Sequence, residues 1–473
     1  MPDTAVIILA AGQGTRMKSQ KPKVLHELAG LSLVGHVLAT AGELGATHIV
    51  VVVRHERDAV AAVVNEQHPG VIVVDQDDVP GTGRAVQVGL GGLPHDFEGH
   101  VVVLSADVPL LDAQTVASLI ESHERAGNAL TMLSAYFEDP TGGGRIIRGS
   151  DGSFEAIVEE RDATDEQQSI TEVNAGVYVF NSGALRGALK GIGTDNSQAE
   201  MYLTDAAAVI RASGSSIEAV PVADHWLVAG INDRVQLGAA AAELNARIVR
   251  GWQLAGVTIQ EPETTWIDLK ASIAEDVELL PSTQIKGATV IERGAIIGPQ
   301  TTLVDCEIGE NAIVKRTDAT LAVIGKNALV GPFAYLRPGT YLDDDGKIGT
   351  FVEIKNSHIG RGAKVPHLSY IGDATIGEGT NIGAGGITAN YDDIAKHRTE
   401  IGSHVHTGVH NAFIAPVRIG DGAKVGAGAV VRKDVPAGAL AISVAPQRNM
   451  AGWTETNRAG TEAAKAAAAE DED

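Results

Sequence analysis

The sequence predicts two architectures in one chain: an α/β domain with a mostly parallel sheet, followed by a parallel β-helix of hexapeptide repeats. Three observations carry this. From about Ile273 to Val431 an aliphatic residue followed by a small one returns at every sixth position, a period that fits neither an amphipathic helix nor an alternating strand. Ahead of it, unbroken apolar runs at Ala5–Ala11, Ile49–Val53, Val71–Val74 and Val101–Leu104 alternate with helical patterns at Ser32–Leu44 and Ala113–Ala126. That is the order of parallel strands covered on both faces by helices. Finally, 473 residues leave room for two or three domains of roughly 150 residues each.

The first apolar run opens into Gly12-Gln13-Gly14-Thr15-Arg16-Met17. Backbone free of side chains lets several N–H groups face one anion at the start of the following helix, and Arg16 and Lys23 add positive charge. The same loop is also compatible with a plain strand-to-helix turn, and it has neither the Walker lysine spacing nor a G-x-G-x-x-G pattern. Gly12, Gln76, Gly81 and Asp107 all fall just after predicted strand ends, where ligands of such sheets bind. A carboxylate closing an apolar strand is costly unless something binds it, and a hard oxygen donor suits Mg²⁺. The alternative for Asp107 is a helix N-cap, since Pro109 and Asp112 look like helix entry.

The longer pattern Leu9-Ala10-Ala11-Gly12-x-Gly14-Thr15-Arg16-Met17, followed by Pro22-Lys23-Val24-Leu25, resembles the signature of sugar-nucleotide pyrophosphorylases. The resemblance implies a Rossmann-like, nucleotide-binding domain over residues 1–233. It also implies that Leu9, Ala10, Ala11, Gly12, Lys23, Gln76, Gly81 and Thr82 bind UTP, and that Gly144, Glu159 and Asn174, with Tyr202–Asp205, line the sugar-phosphate side. Asp107 and Asn232 would hold Mg²⁺, with Arg16 and Lys23 as the catalytic cations. Residues 234–256, with Val235, Leu237, Ala241, Leu244, Ile248 and Trp252, read as a connecting helix.

In the β-helix, over 257–453, each coil is expected to be three hexads, with aliphatic residues stacked inside and glycine supplying unusual dihedrals at the corners. The repeat resembles that of the hexapeptide-repeat acyltransferases, whose helix is left-handed. Three departures from the period mark excursions, and excursions carry sites: Arg337-Pro338-Gly339; Phe351–Lys355 with Pro366–Tyr370; and Ala384–Glu400, which holds Asn390-Tyr391-Asp392 and Lys396. Alone, His367 reads more readily as a turn residue than as a base.

Together these residues resemble the bifunctional bacterial enzymes that make UDP-N-acetylglucosamine, a precursor of peptidoglycan, over residues ~4–453. That implies acetyl-CoA and UTP as co-substrates and a homotrimer. His367 would be the general base, oriented by Glu353. Arg337, Lys355, Tyr370 and Asn381 would bind glucosamine-1-phosphate, and Ala384, Asn390, Tyr391 and Ala427 acetyl-CoA. The chain departs from the family at Ala106 (usually glycine), Gly143 (usually aromatic) and Arg84 (commonly histidine). It departs again at Val409-His410-Asn411 (usually Ser-Asp-Thr) and at Val444 (often arginine). Two rival readings are a pyrophosphorylase whose β-helix only oligomerises, and a β-helical scaffold without catalysis.

Composition argues against two classes of partner. A formal charge of −23 argues against nucleic acid and anionic membranes. No apolar run approaches the ~20 residues of a membrane span, and the N-terminal run lacks the basic region of a signal peptide. The single cysteine, Cys306, excludes an internal disulfide and suits the cytoplasm. His404, His406 and His410 come without the pattern of a zinc enzyme, and no zinc is expected. Residues 454–473, alanine-rich and ending Glu-Asp-Glu-Asp, are expected to form a disordered acidic tail.

Overall fold

The structure, a computed structural model, describes residues 3–443 and 447–470. Two compact units divide at Ala271, with Ile285–Ala288 counted to the first. The connecting helix Arg234–Leu254 and the strands Thr258–Ile259 and Trp266–Ile267 therefore belong to the first unit, although the β-helix was expected to separate at 257. Asn245, buried in that helix, explains this. Its side-chain amide donates to the Thr265 carbonyl (2.8 Å) and its oxygen accepts from the Ile267 N–H (3.2 Å), tying the first β-helical strands to the helix.

In the first unit the strand order is Ile217–Val222, Leu130–Tyr136, Glu172–Asn181, His100–Ser105, Thr4–Leu9, His48–Val53, Ile72–Asp75. All neighbours run parallel except at Glu172–Asn181, which is antiparallel to both of its neighbours. Alternation along the first strand sends Val6 and Ile8 into one core, shared with helices Leu33–Glu43 and Ala113–Ala126, and Ala5 and Ile7 into another, shared with helices Thr82–Gly91 and Asp205–Ala212. Ser32 and Asp112 cap their helices, accepting from Gly35 N (3.1 Å) and Thr115 N (2.7 Å). The chain leaves Thr4–Leu9 toward His48–Val53 on one side and returns on the other at His100–Ser105. This switch point opens a crevice at the carboxyl ends.

The second unit is a left-handed parallel β-helix. From Ser272 onward its short strands stack into three parallel sheets. In one of them Ile291, Ile308, Ile324, Leu342, Ile359, Ile376, Ile401 and Ile419 face one another in register, all nearly inaccessible to solvent.

Some glycines of the repeat supply left-handed dihedrals as expected, among them Gly294 (φ 72°), Gly331 (φ 93°) and Gly379 (φ 65°), while others do something different. A Cβ on Gly309 would come 2.6 Å from Lys326 N, on Gly325 2.6 Å from Asp344 N, and on Gly377 2.5 Å from the Gly402 carbonyl carbon, though none of the three is left-handed. They are needed because successive coils touch backbone to backbone there. Many of the left-handed corners are instead taken by Asn311, Asn327, Phe333, Phe351, Leu368 and Asp373, with φ between 49° and 60°.

The tail also differs from expectation. Trp453–Asn457 and Glu462–Glu470 are helical, as alanine's helix propensity favours, and Lys465 pairs with Glu462 at 2.8 Å. Asp471–Asp473 lie outside the described residues, as does Val444. Among the described residues no helix is long and apolar enough to cross a membrane.

Candidate active sites

The crevice of the first unit encloses about 520 Å³. Leu9, Thr82, Asp107, Gly144, Glu159, Asn174 and Asn232, all singled out from sequence, line it. Lys23 reaches in from the turn Lys23–Leu25, with its Nζ 2.5 Å from Asp107 Oδ2 and 3.2 Å from Asn232 Oδ1. Asp107 thus contributes to the crevice, and the helix cap is Asp112. Gly14, at φ 65°, lets the Lys23 stem pass, since a Cβ there would lie 2.5 Å from Lys23 Cβ. Gly12 meets nothing within 4 Å, so its backbone stays open to an approaching group. Ala10 and Ala11 continue the first strand, and Ala10 N donates to Val52 O (2.9 Å). Arg16 is exposed on the turn Thr15–Met17.

The Pro80–Gly83 loop is fixed from both sides. Gln76 Nε2 donates to Val79 O (3.0 Å) and Gly81 O (3.2 Å). Gly83 N donates to Met201 O (2.7 Å), and Thr82 Oγ1 accepts from Leu203 N (3.0 Å). Gly81 combines a φ of 116° with a contact in which a Cβ would sit 2.3 Å from the Met201 carbonyl oxygen, so no other residue fits. Across the crevice, burial holds the Glu159 carboxyl above its ordinary pKa, against the bond donated by Thr204 Oγ1 (2.9 Å). Asn174 Nδ2 donates to the Tyr178 hydroxyl (2.7 Å), whose pKa burial raises.

Sequence reading passed over Glu160, whose carboxylate accepts from Gly142 N (3.0 Å) and pairs with buried Arg145 (2.8 Å), holding the glycine loop at the crevice. At Gly143 a Cβ would lie 2.4 Å from Val173 Cγ1, so a larger residue there would require Val173 to shift. Arg84 pairs with Asp77 and donates to Gln87 Oε1 (2.6 Å).

In the β-helix two corners flank one face. At the first, Gly385 N donates to His367 O (3.2 Å), His410 N to Ala384 O (2.7 Å) and Gly428 N to Val409 O (2.8 Å). His367, Ala384, Val409 and Ala427 therefore climb one edge, coil by coil. At the second, Asp373 is the hub. Its carboxylate accepts from Asn356 Nδ2 (2.7 Å), Lys355 Nζ (3.2 Å) and Asn390 Nδ2. Burial alone would raise its pKa, but these donors outweigh burial and hold it below the ordinary 3.8. Between the corners lies Tyr370, whose hydroxyl would be 2.4 Å from a Cβ on Gly372. Lys396 stands close enough to Lys355 that its own pKa is lowered.

The expected orientation of His367 by Glu353 is corrected. Glu353 Oε1 binds Arg337 Nη1 at 3.0 Å, and among the described residues no hydrogen bond joins it to His367. Register explains this, because Glu353 stands opposite Tyr370 whereas His367 stands opposite Thr350, on a different sheet. Asn381 pairs through its backbone with Lys364 and His406. Tyr391 is exposed on the excursion, its hydroxyl donating to Asp393 O (2.8 Å). Asp373 escaped the sequence reading because a Gly-Asp-Ala corner carries no outward sign of being buried under three donors. His404 and His410 lie over Gly379 and Gly385.

The switch-point crevice with its glycine loop, joined to a hexad β-helix bearing a histidine edge, defines a nucleotidyltransferase-type domain linked to an acyltransferase-type β-helix. Comparison with known proteins agrees: residues 6–177 match the MobA-like NTP transferase domain. The Bifunctional protein GlmU of Clavibacter sepedonicus is 67% identical over 466 residues, covering 98% of this chain and 94% of the relative. Those of Leifsonia xyli subsp. xyli (59% over 463 residues, 98% and 95% covered) and Micrococcus luteus (53% over 479 residues, 98% and 96%) are similar along the same length. The chain belongs to the family of bifunctional GlmU proteins.

Proposed function

We infer that the chain performs two successive transfers. It is an enzyme with glucosamine-1-phosphate N-acetyltransferase and N-acetylglucosamine-1-phosphate uridylyltransferase activities, and its product is UDP-N-acetylglucosamine. The observation that carries the reading is the meeting of Lys23, Asp107 and Asn232 at one point of the switch-point crevice.

Two oxygens converging on one ammonium also fit a divalent cation. One carboxylate and one amide oxygen leave most of an octahedral shell to water and substrate phosphates, as Mg²⁺ prefers. Bound there, Mg²⁺ would neutralise phosphate charge. In uridylyl transfer the phosphate of N-acetylglucosamine-1-phosphate attacks the α-phosphorus of UTP and pyrophosphate leaves. No protein nucleophile is needed, so the protein contributes positioning and charge. Lys23 and Arg16 bind phosphate oxygens; Gln76, Gly81 and Thr82 hold the uracil; Gly144, Glu159 and Asn174 hold the sugar.

In acetyl transfer the amine of glucosamine-1-phosphate attacks the thioester carbonyl. His367 takes the amine proton and returns it to the leaving thiolate. Arg337, Lys355 and Lys396 hold the phosphate, with Tyr370 and Asn381 beside the sugar. The edge carrying Ala384 and Ala427 suits an extended acetyl-CoA. Glu353 is assigned to Arg337.

UTP-dependent pyrophosphate release and CoA-thiol release are measured on one sample. Absence of the second would leave a pyrophosphorylase whose β-helix only oligomerises. The reading includes a homotrimer in the cytoplasm. A β-helix interior is filled, so a pocket for two substrates forms between faces of neighbouring chains. The exposed Tyr391 and Ile394 on the excursion support such a reach. His367→Ala and Asn390→Ala chains are refolded together as mixed trimers. Regained acetyl transfer supports a shared site, and none, in trimers verified by mass, places both residues on one chain.

A further inference from the structure

Lys23 holds the position that a cation bound by Asp107 and Asn232 would take. Its Nζ touches both oxygens, at 2.5 Å and 3.2 Å, and the Lys23 and Asp107 side chains are only 11% and 22% exposed. Mg²⁺ needs its oxygens at about 2.0–2.1 Å, so an ion bound by these same two oxygens competes with the ammonium for them. The lysine's placement is fixed by the backbone: Val24 and Leu25 are buried behind it, and Gly14 clears its stem.

We propose that Lys23 is the counter-cation of an otherwise costly carboxylate, displaced by the divalent ion and thereby delivered to a phosphate oxygen of UTP. The proposal rests on the reading of Asp107 and Asn232 as metal contacts. Without Lys23, Asp107 would be a largely enclosed charge with no cation beside it. With Lys23, the divalent ion must pay for the exchange, so the nucleotide-free protein binds it weakly. UTP offers the freed ammonium a new partner, so metal and nucleotide strengthen each other's binding, and the coupling is reciprocal.

The test is Mn²⁺ binding to the nucleotide-free, full-length protein, followed by the electron paramagnetic resonance of free Mn²⁺. Asp107→Asn supplies the baseline of other weak sites on this acidic chain. Lys23→Gln and Lys23→Met, verified as folded by thermal melting, are expected to bind Mn²⁺ at least about tenfold more tightly than wild type at the site that Asp107→Asn removes. A factor of ten corresponds to about 1.4 kcal/mol. In wild type, amine-reactive labelling of Lys23, read by mass spectrometry, should rise as Mg²⁺ is added. Unchanged or weaker Mn²⁺ binding in both Lys23 variants, with the site still lost in Asp107→Asn, overturns the exchange and leaves the metal reading intact. Undiminished binding in Asp107→Asn overturns the metal reading itself.

Discussion

Replacing Asp373 by alanine removes the hub of the second corner. Three donors lose their acceptor, and Lys355, 18% exposed on its side chain, keeps a charge whose partner is gone while Lys396 stands nearby. Breaking one side of a buried pair costs about 3–5 kcal/mol. Lys355 can reach some water, so about 2–4 kcal/mol is expected here. For a unit near 200 residues that lowers its melting temperature by roughly 4–16 °C. Because the folded carboxyl sits below its ordinary value, its contribution is present above about pH 4 and is lost as pH falls through the lowered value. The deficit of Asp373→Ala should therefore be full at neutral pH and should shrink on acidification below about 4. With Lys355 and Asn390 loosened, KM for glucosamine-1-phosphate and for acetyl-CoA should each rise about tenfold, equivalent to about 1.4 kcal/mol, while uridylyl transfer is unchanged. Calorimetry across pH and the two KM values decide it. Melting within two degrees of wild type, with both KM values retained, refutes the hub.

His367→Ala should lower acetyl transfer by roughly 10²–10⁴, the contribution of a positioned base, and leave pyrophosphate release untouched; wild-type CoA release would make His367 a turn residue. Asp107→Ala and Asn232→Ala should abolish uridylyl transfer and spare acetyl transfer, and full uridylyl activity in both would refute their role. Deleting residues 391–397 should leave the β-helix folded, by circular dichroism and melting, because Asn390 O already accepts from His397 N at 2.8 Å. Acetyl transfer should be lost, and its survival would remove the excursion from the site.

Both architectures were legible because each rests on a period. Unbroken apolar runs became four neighbouring strands of the sheet with shifts of one or two residues, and the hexad placed the interior ladder. Gly12, Gln76, Gly81 and Asp107 could be grouped from sequence because the ends of parallel strands share one edge of a sheet, and of these Asp107 lines the crevice. Pairings among charged side chains were not legible. Nothing in Tyr335-Leu336-Arg337 and Glu353-Ile354-Lys355 says that Glu353 takes Arg337 rather than His367, since that choice is made by register between coils. The role of glycine was only partly legible for a related reason. Its spacing marks the coil period equally well whether it relieves a dihedral or a contact, and only the approach of the next coil distinguishes the two.

The edge that carries His367 shows how an excursion can be added without disturbing the stacking of coils. Along the edge, Ala384 follows His367 by 17 positions and Ala427 follows Val409 by 18, close to three hexads, whereas Val409 follows Ala384 by 25. The same stretch appears inside the wall, where Ile401 faces Ile376 in register across 25 positions while Ile376 faces Ile359 across 17. The extra residues leave the coil after Ala389 and return at Thr399, past the second corner. The rungs that carry His367, Ala384, Val409 and Ala427 therefore stay one strand spacing apart, near 4.8 Å, whatever the excursion contains. The stacked edge fixes the histidine, and on the proposed reading it would also carry the path for a long thioester, while the excursion is held to the coil by Asn390 on Asp373 and by Arg398, which donates to Thr375 Oγ1 (3.2 Å).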